Sequence, residues 1–394
     1  MRIALVWNAP ARLRDISLRL ELYAHGFEAL GHEAVTVCSR AAAEGYTCPT
    51  IPCDDERALA REEFWRGVGA DVALVITWHR MGDVLAALRE AGARTINIPD
   101  SDGCVGVRAH FWETLERTIR YRPGWLAKAN CFRYWVQRYL LGDARYTREV
   151  LESTRQSGKV LFAGRHARAA FRRFLDSCGE GRLDNEVRVM PLYPVAERFC
   201  ELSVPTVRAH RVVAVGRWDD PQKDAGLLAA SVECYLSRGG QAEFVVVGRG
   251  GEGRFDSLGR RFAQVRYVGP QPQERVAELL RESRFVLFSS RWEGFPHTVN
   301  EALALGCTVV GTPIASLLSV CEDGRFGRVS PSRRPSDLAD AIRLEMAAWQ
   351  AGERAAEAIA AHWRAQLRPE AVCARLLREI AGDTEARRQP CTTT

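Results

Sequence analysis

Residues 285–306 begin Phe285-Val286-Leu287-Phe288 and continue Ser289-Ser290-Arg291-Trp292-Glu293-Gly294-Phe295-Pro296. They end His297-Thr298-Val299-Asn300-Glu301-Ala302-Leu303-Ala304-Leu305-Gly306. The first four residues are a short, wholly apolar run, as in a strand covered on both faces. The next eight carry charge, a glycine and a proline, the composition of a loop. A helix then opens near His297 and stops at Gly306. Strand, loop, helix and stop form one repeat of a parallel α/β sheet.

The same unit recurs in both directions along the chain. Strands are expected at 211–215, 243–247, 265–268, 308–310 and 327–329, with helices near 225–237, 273–282 and 335–349. Earlier strands are expected at 3–7, 34–38, 71–77, 94–98, 159–163 and 186–190. Residues 201–209, polar and containing Pro205, read as a linker. The expectation is α/β: two doubly wound Rossmann-like domains facing a central cleft, where open sheets of this kind bind ligands. The first domain would span 1–200 and hold the acceptor side. The second would span 201–382 with closing C-terminal helices, and 383–394 would form a flexible tail. Gly248 and Gly250 are expected in a tight strand-to-helix turn, the G-x-G spacing being too weak for a dinucleotide fingerprint.

Composition excludes other classes. Apolar residues are 46% and charged residues 26% of 394, which rules out a disordered chain, a collagen-like fibre and a coiled coil. Twelve scattered cysteines without a C-x-x-C read as reduced thiols rather than a disulfide scaffold. The apolar run near the N-terminus is too short for a signal peptide, so a cytoplasmic protein is expected. Residues 302–321 lack charge, but their glycines and Pro313 read as helix end, strand and turn rather than a membrane span. All but three of the 55 basic residues are arginines, which warns against reading function into each one.

Charge is concentrated in one place. Residues 108–173 hold fifteen Lys and Arg against five Asp and Glu, with Trp112, Tyr121, Trp125 and Tyr134 interleaved. Phe132, Trp135 and Tyr139 recur at helical spacing and are expected in the core. The segment suits a solvated helix face, a charged acceptor or an anionic membrane surface, which would make the protein peripheral on the inner face of a membrane. No recognition motif accompanies it, so no nucleic-acid partner is expected.

The chemistry gathers around two loops. Uncapped N–H groups and the dipole at the His297 helix start favour an anion such as phosphate. Glu293 and Glu301 can accept several hydrogen bonds each from sugar hydroxyls. Arg217 and Lys223, in Gly216-Arg217-Trp218-Asp219-Asp220-Pro221-Gln222-Lys223, follow another strand and can neutralise a diphosphate. Asp219-Asp220 are expected to cap the next helix.

These features together resemble the GT-B-fold, retaining, nucleotide-sugar-dependent glycosyltransferases of family 4 (glycosyl transferases group 1). The pattern is two glutamates with seven residues between them, with Gly-Phe-Pro after the first and Glu-Ala-Leu-Ala-x-Gly from the second. The resemblance implies that Glu293 contacts donor-sugar hydroxyls and Glu301 the ribose. Gly216, Arg217 and Lys223 would bind the donor diphosphate, and Phe295, Pro296, His297 and Thr298 would cradle phosphate and sugar. It implies a UDP-sugar in preference to a GDP-sugar as co-substrate, no cofactor and no bound metal, no Asp-x-Asp signal being read. The acceptor would be a glycan, a lipid-linked sugar or a small molecule. Two catalytic candidates follow from the N-terminal half: His79 in Thr77-Trp78-His79-Arg80, which is preferred, and Asp100 in Pro99-Asp100-Ser101-Asp102. The first loop, Asn8-Ala9-Pro10-Ala11-Arg12, lacks the family's glycine pair; Asn8 and Arg12 are its acceptor-side candidates. The alternatives are a catalytically silent GT-B protein that binds a glycan or partner, and a sugar-nucleotide epimerase of the same fold.

Overall fold

The apolar runs assemble into two parallel sheets. A computed structural model of the chain describes residues 1–7, 13, 17–77, 80–190 and 193–386. The first sheet contains β1 (Arg2–Trp7), β2 (Glu33–Cys38), β3 (Thr50–Pro52), β4 (Val72–Thr77), β5 (Arg94–Pro99), β6 (Lys159–Phe162) and β7 (Val187–Val189). The second contains β8 (Arg211–Val215), β9 (Glu243–Val247), β10 (Val265–Gly269), β11 (Phe285–Phe288), β12 (Thr308–Gly311) and β13 (Gly327–Val329). Their orders are β3-β2-β1-β4-β5-β6-β7 and β10-β9-β8-β11-β12-β13, with every pairing parallel. In each sheet the order reverses beside the first strand, and ligands of open α/β sheets bind beyond the carboxyl ends at that switch point.

The central strands read as continuous apolar runs because helices cover both faces. Ile3 to Val6 and Phe285 to Phe288 are all buried. β3 was not expected: it is three residues long and pairs with β2 alone at the sheet edge, too short for a pattern. Residues 302–321 supply a helix end, β12 and a short helix, and no helix among the described residues is long and apolar enough to cross a membrane.

The helices that shape the cleft and the surface beside it are, in chain order, α1 (Leu18–Ala29), α2 (Phe111–Arg120), α3 (Gly124–Leu141), α4 (Ala144–Gln156), α5 (Ala225–Ser237), α6 (His297–Ala304) and α7 (Pro369–Ala386). α7 returns from the second sheet to the first. Its Val372, Cys373, Leu376 and Ile380 share a core with Leu20, Tyr23 and Phe27 of α1. Gly26 permits that approach, since a Cβ there would stand 2.5 Å from the Pro369 carbonyl oxygen.

α2, α3 and α4 fill the connection between β5 and β6. Here the sequence expectation fails. α3 buries only Cys131, and Phe132 and Tyr139 are exposed, leaving Trp135 half-buried. Helical spacing shows which residues share a face, but α3 packs on α2 rather than on a sheet, so its apolar residues lack a core to enter.

Candidate active site between the sheets

A cavity of about 480 Å³ opens between the carboxyl ends of the sheets. From the first sheet it receives Arg19 of α1, Asp100 to Asp102 after β5, and Arg117 of α2. From the second it receives Arg217, Gln222 and Lys223 after β8, and the loop from Trp292 to Thr298 after β11.

The two second-sheet loops are tied at Glu293. Its Oε1 accepts from Lys223 Nζ at 2.5 Å and from Ser290 Oγ at 2.8 Å, while Oε2 accepts from Gln222 Nε2 at 2.9 Å. Backbone bonds hold the same loops in register: Arg291 N–H to Gln222 O at 2.8 Å, and Ser289 Oγ to Lys223 O at 2.6 Å. Both partners of the Lys223–Glu293 pair are largely shielded from water. Gly216 begins the first loop with its N–H on Val247 O, and Gly248 turns at φ +121°, where a Cβ would stand 1.8 Å from Gly216 O. Only glycine tolerates that approach. Gly250 also has a positive φ, as a tight turn requires.

Arg217 is more open, and its Nη2 lies 3.1 Å from Asp220 Oδ2. Asp220 Oδ1 accepts from Tyr121 OH at 2.6 Å and from Gln222 N–H at 2.9 Å. The expected capping role belongs instead to Asp224, whose side chain accepts from Leu227 N–H at the start of α5. Asp224 adopts a left-handed backbone (φ 49°), and its Oδ2 also meets Arg291 at 2.5 Å and Arg333 at 2.6 Å. Three interactions at one carboxylate compensate a conformation that costs about 1 kcal/mol or more in a non-glycine residue.

His297, the first residue of α6, forms the opposite corner. Its Nε2 accepts from Arg19 Nε at 3.1 Å and Nη2 at 2.7 Å. Arginine only donates, so Nε2 carries the lone pair. Burial, then the Arg19 charge, push the His297 pKa down to about 4, against a smaller upward pull from Asp100. Arg19 sits 4.4 Å above the Tyr193 ring, and its Nη1 lies 3.4 Å from Asp100 Oδ1. Burial, the largest single cause, lowers the Arg19 pKa, but Asp100, Tyr193 and Tyr23 together outweigh it and the net shift is upward.

Asp100 therefore faces the Glu293 loop across the cleft, where a Cβ on Gly294 would stand 3.4 Å from its Oδ1. Asp100-Ser101-Asp102 is an Asp-x-Asp spacing that the reading of the sequence passed over. Each carboxylate faces an arginine, Asp100 that of Arg19 and Asp102 that of Arg117. Phe295, Pro296 and Thr298 line the cavity with His297, and no side chain among the described residues caps α6, so its first N–H groups are available to an anion.

Glu301 lies outside the lining of this cavity and faces Gln273, whose Nε2 is 3.4 Å from its Oε1. Burial pushes its carboxyl up to about 7, over opposing contributions from Gln273 and Arg198. His79, Asn8 and Arg12 lie outside the described residues. The sequence reading missed Arg19, Arg117, Gln222, Asp224, Arg291 and Arg333. Only Asp224, an Asp directly before an apolar helical run, and Gln222, beside Lys223, carried a local signal.

Among the described residues, one group could hold a metal ion: Cys104, His110 and Glu113, whose ligand atoms lie within 4.8 Å of one another. His110 Nε2 is 2.8 Å from Ala170 O, leaving Nδ1 3.7 Å from Glu113 Oε1. The group stands at the start of α2, outside the cavity lining.

Residues 209–346 match the family model described as Glycosyl transferases group 1. The phosphatidyl-myo-inositol mannosyltransferase of Mycolicibacterium smegmatis is 27% identical over 133 residues, 33% of this chain and 34% of that protein. A D-inositol 3-phosphate glycosyltransferase of Nocardioides is 35% identical over 88 residues, 22% of this chain and 19% of that protein. The chain thus spans about a third or less of the length of these relatives. Solved structures align over nearly the whole chain. The sucrose-phosphate synthase of Thermosynechococcus elongatus has a TM-score of 0.62 at 15% identity, covering 98% of this chain and 99% of that one. Anabaena HepE in complex with UDP has a TM-score of 0.63 at 14% identity, covering 97% and 100%. With two facing Rossmann-like sheets, the chain has the GT-B fold, and its residues 209–346 carry the match to glycosyl transferases group 1.

Proposed function

We propose that the protein is a glycosyltransferase that moves a sugar from a nucleoside diphosphate sugar to an acceptor hydroxyl with retention of anomeric configuration. The observation that carries this reading is Glu293, a shielded carboxylate held by Lys223, Gln222 and Ser290 beside the uncapped start of α6. A carboxylate fixed by three donors keeps lone pairs for sugar hydroxyls, and the adjoining cation and helix start suit a diphosphate. Charge developing on the leaving diphosphate would be stabilised by Lys223, Arg217 and the α6 N–H groups. Asp100, across the cleft and steadied by Arg19, would orient the reacting sugar or the acceptor. UDP-sugars are the favoured donors, a choice supported by the UDP bound in the similar Anabaena HepE structure. Inositol-containing acceptors are named for both curated relatives, which makes a polyhydroxylated small-molecule or lipid-linked acceptor the first class to try.

Thermal shift with UDP, GDP and ADP tests the donor site, because a ligand of the native state raises stability by mass action. UDP-sugars are then incubated with and without candidate acceptors, and the anomeric configuration of the product is read by NMR. Transfer with inversion would overturn the retaining assignment. Nucleotide binding without transfer or hydrolysis would favour a silent GT-B protein, and a donor altered at one stereocentre would favour an epimerase.

A further inference from the structure

We propose that the outer face of α3 is a docking surface for an anionic lipid bilayer. α3 buries only Cys131. At 100° per residue, Trp125, Leu126, Ala129, Arg133 and Leu140 fall on the side turned away from it. Trp125 is 75% exposed and Leu140 68%, and Leu141 at the helix end and Trp112 on α2 are exposed to a similar degree. Large apolar side chains gathered on one outward helix face mark an interaction surface rather than a solvated one.

Charge selects the occupant. α3 contains Lys128, Arg133 and Arg138 and no Asp or Glu. Arg138 pairs with Asp143, whereas Arg122, Lys128 and Arg133 have no ion-pair partner among the described residues. A second copy packed face to face would bring these cations together with no α3 carboxylate to offset them. An anionic headgroup layer meets them with opposite charge, accepts the leucines beneath and seats the tryptophans at headgroup level. The surface also adjoins the cleft. Tyr121, between α2 and α3, donates to Asp220, and Glu116 of α2 lies 3.1 Å from Arg291. A bilayer under α3 would therefore lie beside the loops that hold Lys223 and Glu293.

The test sediments the full chain with phosphatidylcholine vesicles, with and without phosphatidylglycerol, at low and high salt. The wild type is expected to pellet with the anionic vesicles at low salt and to be released by high salt. Arg133→Gln should weaken that partition about fivefold, at roughly 1 kcal/mol per basic residue. Trp125→Ser with Leu140→Ser should abolish the binding while leaving the fold intact by circular dichroism. Equal sedimentation of the wild type with both vesicle types, sedimentation with neither, or wild-type partition by both variants would overturn the proposal. So would self-association in analytical ultracentrifugation that Trp125→Ser with Leu140→Ser removes, since the face would then belong to a second copy. Vesicle binding is read without donor or acceptor, so its failure leaves the glycosyltransferase reading standing, and the reverse also holds.

Discussion

Lys223 Nζ and Glu293 Oε1 are 2.5 Å apart, joining the loop after β8 to the loop after β11 at the mouth of the cleft. The proposed chemistry assigns them to different parts of one ligand, the cation to phosphate and the carboxylate to sugar. The same contact ties the two loops together before any ligand arrives. Binding and folding are thus coupled through one ion pair, and the two roles can be separated by a double-mutant cycle. Lys223→Ala leaves Glu293 a shielded carboxylate with two neutral donors. Allowing for residual exposure, the loss should be about 1–3 kcal/mol, below the range for fully buried pairs. Adding Glu293→Gln removes the unpaired charge and should restore part of that stability. Urea unfolding of the two single variants and the double variant measures the coupling. Strictly additive losses would show that the pair does not hold the loops together.

Glu293→Gln alone keeps the shape of the side chain and removes its charge. Transfer should fall far more than nucleotide affinity, because the diphosphate contacts remain. Turnover close to wild type would remove Glu293 from the reaction.

Arg217 gives a cleaner probe of the phosphate site, since its side chain is more than half exposed and its ion pair with Asp220 is solvent-screened. Arg217→Ala should leave the melting temperature without nucleotide nearly unchanged. Loss of a charge-assisted hydrogen bond to phosphate, worth roughly 1.5–3 kcal/mol, should weaken UDP binding by about ten- to a hundredfold. Calorimetry with UDP decides it, and undiminished affinity would exclude Arg217 from the diphosphate site.

Glu301 makes stability depend on pH in a defined direction. Its folded pKa of about 7 lies above the ordinary 4.5, so the folded state binds the proton more tightly. The resulting stability is fully present below pH 4.5 and is lost as pH rises through 7. Glu301→Gln cannot ionise and should lack this loss. The melting temperature of the wild type relative to the variant should therefore decline between pH 5 and pH 8. A constant difference over that range would mean that Glu301 is not held in a desolvated site.

The sequence disclosed the two sheets because strands covered on both faces must be apolar throughout, as at Ile3–Val6 and Phe285–Phe288. It disclosed Glu293 and Lys223 because their loops follow such strands and lysine is rare in this chain. It could not disclose Arg19, which reaches His297 across 278 residues, or the Asp224–Arg291–Arg333 cluster. Arginine is so common here that no single one stands out; the Arg19–His297 contact exists only once the sheets face each other, and the Asp224 cluster only once three loops of the second sheet come together. The exposed side of α3 was hidden for a related reason: periodicity identifies a face, while burial depends on what packs against it.

Arg19 of α1 reaches His297 of α6 across the cleft, and its removal should be visible there. The guanidinium donates to His297 Nε2, lies against Tyr193 and faces Asp100. Arg19→Met keeps much of the volume but removes the charge that repels a protonated imidazole. Burial is the larger cause of the depressed His297 pKa, so the value should rise from about 4 only part of the way towards 6.5. The sign for stability follows: the wild-type contribution of His297 is present above pH 6.5 and is lost as pH falls through 4. In the variant that loss should be smaller. Arg19→Lys retains the charge without the planar fork, so it should keep His297 low while weakening the contact to Asp100. Imidazole resonances followed by NMR between pH 3 and pH 8 distinguish the two variants. If Arg19→Met left the His297 titration where it was while Asp100 still faced Gly294, the charge of Arg19 would have no part in setting this corner of the cleft.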